Sequence, residues 1–269
     1  MRIAIRHSTR YRYDEPVRYS AQSLRLTPRA AASQEIVRWS VEAPGIDKAA
    51  AFVDGFGNQV HLITVTEPHQ EITIAVDGEV ETSDTAGVVQ GVKEVAPRAL
   101  FLRQTDLTRA DDSIADLAAD LGGEDTVQRL HDLMGRIRDR VEYRVGETHS
   151  ETTAAEALAR GAGVCQDHAH LFIAAARHLG VPARYVSGYL WATEGEPGEA
   201  QHAWAEAHID DLGWVGFDIS NGICPDPHYV RVACGLDYIS AAPVRGTRRG
   251  GGSEALDVTV EVGEAQTQQ

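Results

Sequence analysis

The apolar residues of this chain change period partway along it, and that change limits the folds open to it. Over residues 1–80 the side chains alternate. Arg2-Ile3-Ala4-Ile5-Arg6-His7, Glu35-Ile36-Val37-Arg38-Trp39-Ser40-Val41, Gln59-Val60-His61-Leu62-Ile63-Thr64-Val65 and Glu71-Ile72-Thr73-Ile74-Ala75-Val76 step between polar and apolar, as half-buried strands do. Asp54-Gly55-Phe56-Gly57-Asn58 and Asp77-Gly78 read as turns between them. Strands at this spacing predict a sandwich-like antiparallel region, in which His61 and His69 are ordinary strand and loop residues. Beyond residue 95 the spacing becomes helical. Pro97-Arg98-Ala99-Leu100 starts a short turn or helix. Ile114, Leu117 and Leu121 then share one face, as do Val127, Leu130, Leu133, Met134 and Ile137 of the next helix. Helices are also predicted over 153–160, stopped by Gly161, and over 165–179, stopped by Gly180 with Pro182 beyond. The second of these shows Leu171, Phe172, Ala175, Ala176 and Leu179 on one face. Strands return at 183–190, 202–209, 213–218 and 256–262, with a polar loop at 193–200 and a frayed polar end. The expected class is α+β. Residues 1–85 form a β-rich domain, 95–249 a mixed core and 250–269 a C-terminal strand and tail. The domain boundary falls in the small, polar stretch 82–95.

Composition narrows the function classes. At 269 residues, 43% hydrophobic and 24% charged, the chain has material for a sizeable core. No apolar run approaches the roughly 20 residues that span a bilayer, and the first residues lack a secretory apolar region. A cytoplasmic protein without membrane contact is expected. A net charge of −15 argues against nucleic acid as partner. The best basic cluster, Arg245-Gly246-Thr247-Arg248-Arg249, reads as a solvated loop. Three cysteines do not make a disulfide framework in such a chain, and Cys224 and Cys234 read as inert thiols.

Cys165 differs from them by its surroundings. It follows Gly161-Ala162-Gly163-Val164 at the mouth of an apolar helical run. There the macrodipole and the unsatisfied backbone N–H groups favour thiolate over thiol. The same N–H groups suit an oxyanion once the thiolate has attacked a carbonyl. Gly161 and Gly163 allow a sharp turn into the helix and leave space above the sulfur. Further along, His202, Trp204, Glu206 and His208 share one strand face, and Ala203, Ala205, Ala207 and Ile209 the other. With the three residues 210–212 as the loop, Ile209 faces Gly213 and Trp204 faces Asp218. His202 then lies one diagonal step from Asp218, within reach of a ring side chain. A carboxylate so placed holds the imidazole's tautomer and stabilises its charged form. A one-residue slip would separate the two. His208 is the rival base, but it lies near the turn. Cys165, His168 and His170 suggest a metal set. On a helix, however, residue 170 is rotated away from 165 and 168, and neither Cys-x-x-Cys nor His-Glu-x-x-His occurs. No metal, nucleotide or other cofactor is expected, and His168 and His170 read as packing or pocket-lining groups.

Four segments together resemble the bacterial transglutaminase-like family, whose members are often described as cysteine proteases. They are Gly163-Val164-Cys165-Gln166-Asp167-His168-Ala169-His170, Pro182-Ala183-Arg184-Tyr185-Val186-Ser187-Gly188-Tyr189, His202-Ala203-Trp204 and Gly213-Trp214-Val215-Gly216-Phe217-Asp218. The resemblance is strong over about 160–240, and the β-rich start is similar to the N-terminal domain common in the family. It implies a papain-like core with a nucleophile-bearing helix packed on an antiparallel sheet. It implies Cys165 as nucleophile, His202 as base and Asp218 as the orienting acid. Tyr143, Gln166 and Trp204 become candidates for the pocket or an oxyanion donor, with Gln166 alternatively a brace for the helix. Ile219-Ser220 stands where Pro-Thr is expected, which bears on the exit of the hairpin. The implied reaction is thiol-dependent acyl transfer from a peptide or protein amide through a thioester. Water as acceptor makes a peptidase or amidase, the first expectation. An amine acceptor makes a transglutaminase-type transferase, and a non-catalytic binding module on the same fold is the third reading.

Overall fold

The structure is a computed structural model that describes residues 1–191 and 200–265. The polar loop expected at 193–200 therefore lies, except for Ala200, outside the described residues, as do the last four residues. The first region is built on β1 (Arg2–Thr27), β2 (Gln34–Glu42), β3 (Ala50–Val53), β4 (Gln59–Val65) and β5 (His69–Thr82). The sandwich-like region is realised as one seven-stranded antiparallel sheet that contains these five strands and two more from the C-terminal end of the chain. β1 runs far beyond the 2–7 strand that alternation suggested. Its inward positions continue through His7, Thr9 and Tyr11, whose polarity hides the pattern. A register irregularity between Arg12 and Val17 then shifts the inward parity, so that Ser20, Gln22, Leu24 and Leu26 face inside.

Asp77-Gly78 is not a turn. Both residues sit mid-strand in β5, with Gly78 paired to Ile5 on one side and Trp39 on the other. A Cβ at Gly78 would lie 2.2 Å from the Trp39 ring, so the glycine marks a close approach within a strand. The Asp54 turn does form, and it ties this region to the rest: Asn58 donates to the Cys234 carbonyl and accepts from the Cys234 N–H, each at 2.8 Å.

The second region adds β6 (Val88–Val89), α1 (Asp112–Leu117), α2 (Thr126–Arg140), β7 (Glu142–Tyr143), α3 (Ala154–Arg160), β8 (Ala162–Gly163), α4 (Cys165–His178), β9 (Ala183–Leu190), β10 (Gln201–Ile209), β11 (Gly213–Phe217), β12 (Tyr229–Gly235) and α5 (Tyr238–Ala241). The five-stranded antiparallel sheet has the order β12-β9-β10-β11-β6. One stripe of α4 was expected to be buried, yet its residues from Asp167 to Arg177 are buried all round. The sheet covers one side and α1, α2 and α3 cover the others, so α4 is the axis of the core. The small face Ala203, Ala205 and Ala207 lets the helix approach the sheet, and Phe172 stacks on Phe217 at 5.0 Å. Truncating Phe172 to Ala would cost about 3–5 kcal/mol.

The chain then returns to the first sheet. β13 (Val244–Gly250) and β14 (Glu254–Glu264) pair in sequence along β1, from Leu24↔Val244 to Ile3↔Glu264. Two expectations are corrected here. The stretch 245–249 is a strand and not a loop, and it belongs to the N-terminal sheet and not to the core. Its Arg, Gly and Thr composition carries no alternation, and the pairing comes from β1, more than 200 positions earlier.

Candidate active site

The β10–β11 hairpin has the register that brings the key side chains together. Ile209 pairs with Gly213 and Ala205 with Phe217. The three-residue loop is possible because Asp211 and Gly213 both take positive φ, at 69° and 82°. Asp218 follows the last pair, and His202 Nε2 stands 2.7 Å from Asp218 Oδ2. Both are buried, at 6% and 0% exposure. Cys165 bears on the same imidazole, whose Nδ1 is the nitrogen that Asp218 leaves free. Cys165, His202 and Asp218 thus come from the start of α4, the start of β10 and the end of the hairpin to meet at one point.

The electrostatics follow from that meeting. Burial alone would push the imidazolium pKa down. The hydrogen bonds and charges of Asp218 and Cys165 outweigh it and raise His202 to about 10. Burial would likewise raise Asp218, but His202, Tyr229 and Asn221 hold it below the usual carboxylate range. Tyr229 donates its hydroxyl to Asp218 Oδ2 at 2.6 Å, and Asn221 donates its side-chain amide to the same atom at 2.6 Å. The Asn221 N–H also reaches Asp218 Oδ1 at 3.2 Å. Sequence reasoning assigned no role to Tyr229 or Asn221. Asn221, three residues after Asp218, had the spacing of a local Asx turn as a signal. Tyr229 lies on β12 beyond a loop and had none.

The start of α4 is unusual among the helices here. Asp111, Asp125 and Thr153 cap α1, α2 and α3 with their side chains. Val164 at the corresponding position of α4 offers no side-chain acceptor. Asp167 Oδ2 reaches back to the Val164 N–H at 2.8 Å and accepts from Thr148 Oγ1 at 2.6 Å. The first main-chain bonds run from the Asp167 and His168 N–H groups to the Val164 carbonyl. The Cys165 and Gln166 N–H groups find no hydrogen-bond partner among the described residues. They form the two-donor anion site that a helix start provides. A Cβ at Gly163 would strike the Asp167 carboxylate at 2.7 Å, so the glycine makes room for the brace.

The other candidates are placed as follows. Gln166 donates to the Ser150 carbonyl at 3.2 Å, bracing the helix. Trp204 is buried, stacked on His202 with ring centroids 6.4 Å apart and edge-on to Tyr229 at 5.5 Å. Tyr143 is 42% exposed on the rim, its ring parallel to that of His168. Its backbone pairs with Gly163, two residues before Cys165. His168 is engaged by the Val164 and Val141 carbonyls, and Ser220 Oγ lies 3.3 Å from its Nδ1. Ile219 is buried in the core, so the unexpected Ile219-Ser220 pair packs and hydrogen-bonds at the hairpin exit. His170 accepts from the Tyr238 N–H at 3.0 Å, and burial lowers its pKa to about 4. His208 lies at the far end of β10 against Trp214, away from the sulfur. Glu206, on the His202 face, is wholly buried between Arg184 and Arg231. Cys234 donates to the Phe56 carbonyl, and burial raises the Cys224 thiol.

Comparison with known proteins gives the family of the chain. Residues 3–81 match the family model described as the bacterial transglutaminase-like N-terminal region, and residues 115–219 match that of the transglutaminase-like superfamily. An uncharacterized protein of Mycobacterium leprae is 30% identical over 97% of this chain and 98% of its own length. One from Mycobacterium tuberculosis is 33% identical over 97% of this chain and 92% of its own. Among solved structures, a "putative cysteine protease" from Cytophaga hutchinsonii superimposes with a TM-score of 0.78 at 26% identity, covering 100% of this chain and 92% of that one.

Proposed function

Given that the chain belongs to the bacterial transglutaminase-like family, a family of thiol-dependent enzymes, we propose that it is a cysteine peptidase or amidase acting through Cys165, His202 and Asp218. The observation that carries the reading is the buried His202–Asp218 pair in contact with a cysteine at an uncapped helix start. The Cys165 thiolate attacks the amide carbonyl carbon, and the new oxyanion is received by the Cys165 and Gln166 N–H groups. The charged His202, held so by Asp218, gives its proton to the departing amine as the C–N bond breaks. A thioester remains. Neutral His202 then takes a proton from water as the water attacks, and the thiolate leaves with the acid product. Cys165 and His202 are 8% and 6% exposed, so little room is left over the thioester, which supports water as acceptor over a bulkier amine. A free thiol nucleophile also suits a reducing, cytoplasmic setting.

The test is a screen of glutaminyl and peptide amides with and without an added primary amine, followed by mass spectrometry. Release of free acid that depends on Cys165 is expected. Amine incorporation in place of acid would make the chain a transferase. Neither product from any donor, with a thiol no more alkylable than Cys224, would leave a binding module.

A further inference from the structure

β13 and β14 lie end to end along one side of β1, and among the described residues they pair with no other strand. Their other side is an open sheet edge from Val244 to Glu264, interrupted only at 251–253. So long an edge is a template for a further strand unless a partner covers it, and no proline blunts this one. The main chain keeps one parity along both strands. The Pro243, Gly251 and Ser253 carbonyls and the Ala265 N–H all bond to β1. Odd positions therefore turn their polar backbone groups to β1, and even positions turn theirs outward. The side chains keep one order too. Odd positions stand opposite exposed β1 residues such as Arg6, Arg10 and Tyr19 on the outer face, and even positions continue the inner face.

The charges of the outer face identify the partner. They are basic on β13, at Arg245 and Arg249, and acidic on β14, at Asp257 and Glu261, with the same spacing in each pair. Among the described residues Arg245, Arg249 and Glu261 make no ion pair, and Asp257 meets only the exposed Arg12. A second copy, turned about a two-fold axis at Ser253, sets each basic arm against an acidic one. Arg245 then faces the second copy's Glu261, Thr247 its Thr259 and Arg249 its Asp257, and every pair occurs twice. Moving the axis by one residue breaks both ion pairs, and moving it by two leaves one of them. The same register sets outward-turned even positions against each other, as antiparallel pairing requires, with Gly246 against Val260 and Val244 against Val262. The charged positions become the non-hydrogen-bonded pairs, whose side chains stand closest. At the centre the edge is closed. Arg248 donates to the Gly250 carbonyl at 2.6 Å and the Gly252 carbonyl at 3.2 Å, so the pairing falls on two separate arms. Leu256 and Val258, 53% and 47% exposed, lie beside that centre and gain cover from the stem of the second copy's Arg248.

We propose that the β13–β14 edge is a homodimer interface, at which two copies of the chain join antiparallel about Ser253 into one continuous sheet. The interface is independent of the acyl-transfer reading. The test takes the full chain through sedimentation equilibrium over a micromolar concentration series. A mass of twice 29.2 kDa is expected. Arg245→Glu with Arg249→Glu makes both arms acidic on the outer face, and Asp257→Arg with Glu261→Arg makes both basic. Each double variant alone should be monomeric, with Kd raised roughly a hundredfold or more. Mixed one to one, the two should recover a dimer, each acidic arm now meeting a basic one. A monomeric wild type, dimers that persist in both double variants, or a mixture that stays monomeric would each overturn the interface. A second measurement stands if a charge variant folds poorly. Thr247→Cys with Thr259→Cys, oxidised by diamide, should give a covalent dimer whose tryptic map joins position 247 of one chain to position 259 of the other. Covalent dimers joined only through Cys165, Cys224 or Cys234, or none at all, would contradict the register.

Discussion

Helices α3 and α4 begin only eleven residues apart, and they begin in opposite ways. At α3 the cap is complete. Thr153 Oγ1 accepts from the Glu156 N–H at 3.2 Å, and the Glu156 carboxylate accepts from the Thr153 N–H at 2.9 Å. At α4 only half of that arrangement survives. Asp167 reaches back to the Val164 N–H, but valine returns nothing, and the Cys165 and Gln166 N–H groups stay open. A side-chain cap is worth about 1 kcal/mol, so α4 forgoes stability that α1, α2 and α3 all take. Local rules are broken most often where chemistry needs the open group, and the groups left open here are two main-chain N–H donors beside a cysteine.

The comparison can be broken at several points. The largest effect belongs to the group that holds His202. Asp218→Asn should cut kcat by roughly 10⁴-fold while the circular dichroism spectrum stays that of the wild type. It should also move the alkaline limb of the rate. In the wild type, loss of the His202 proton should lower activity as pH rises through about 10. Without the Asp218 charge, burial dominates and the limb should move to lower pH. Stability has the same sign. The contribution of charged His202 is fully present below an unfolded pKa of about 6.5 and is lost as pH rises toward about 10, which thermal melts across that window would follow. Next is the cap itself. Val164→Ser should supply the missing acceptor at the Gln166 N–H, lowering kcat by roughly 10²-fold and raising stability by about 1 kcal/mol in urea titrations. A variant that gains stability at unchanged kcat would show that the open N–H groups are idle. Tyr229→Phe should cost roughly tenfold in kcat and leave Asp218 with His202 and Asn221, a change to be read in single-turnover rates. Thr153→Ala is the control, losing about 1 kcal/mol of stability with kcat unchanged.

How far the sequence alone reached depended on whether a feature was local. The hairpin was legible because strand parity and a three-residue loop leave one register, and that register sets Trp204 across from Asp218 and His202 one step away. The limits of α3 and the end of α4 were legible from Thr153 and from the glycines at 161 and 180. The second half of β1 was not, because His7, Thr9, Ser20 and Gln22 put polar groups on its inner face and a bulge reverses its parity. β13 was hidden for a different reason. Its strand conformation comes from Ser20, Gln22 and Leu24, which no window around residues 244–250 contains. Tyr229 was missed on the same ground, since β12 lies on the other side of β9 from the hairpin and meets Asp218 only in the folded sheet.

The most direct test is the covalent one. The protein is mixed with p-nitrophenyl acetate at neutral pH, quenched in acid within the first turnover, and mapped by intact and tryptic mass spectrometry. The expected result is one acetyl group per chain on the peptide that holds Cys165, absent in Cys165→Ala and slower to appear in Val164→Ser. Acetyl groups spread equally over Cys224 and Cys234, or amide turnover undiminished in Cys165→Ala, would contradict the assignment of the thiol at the open helix start.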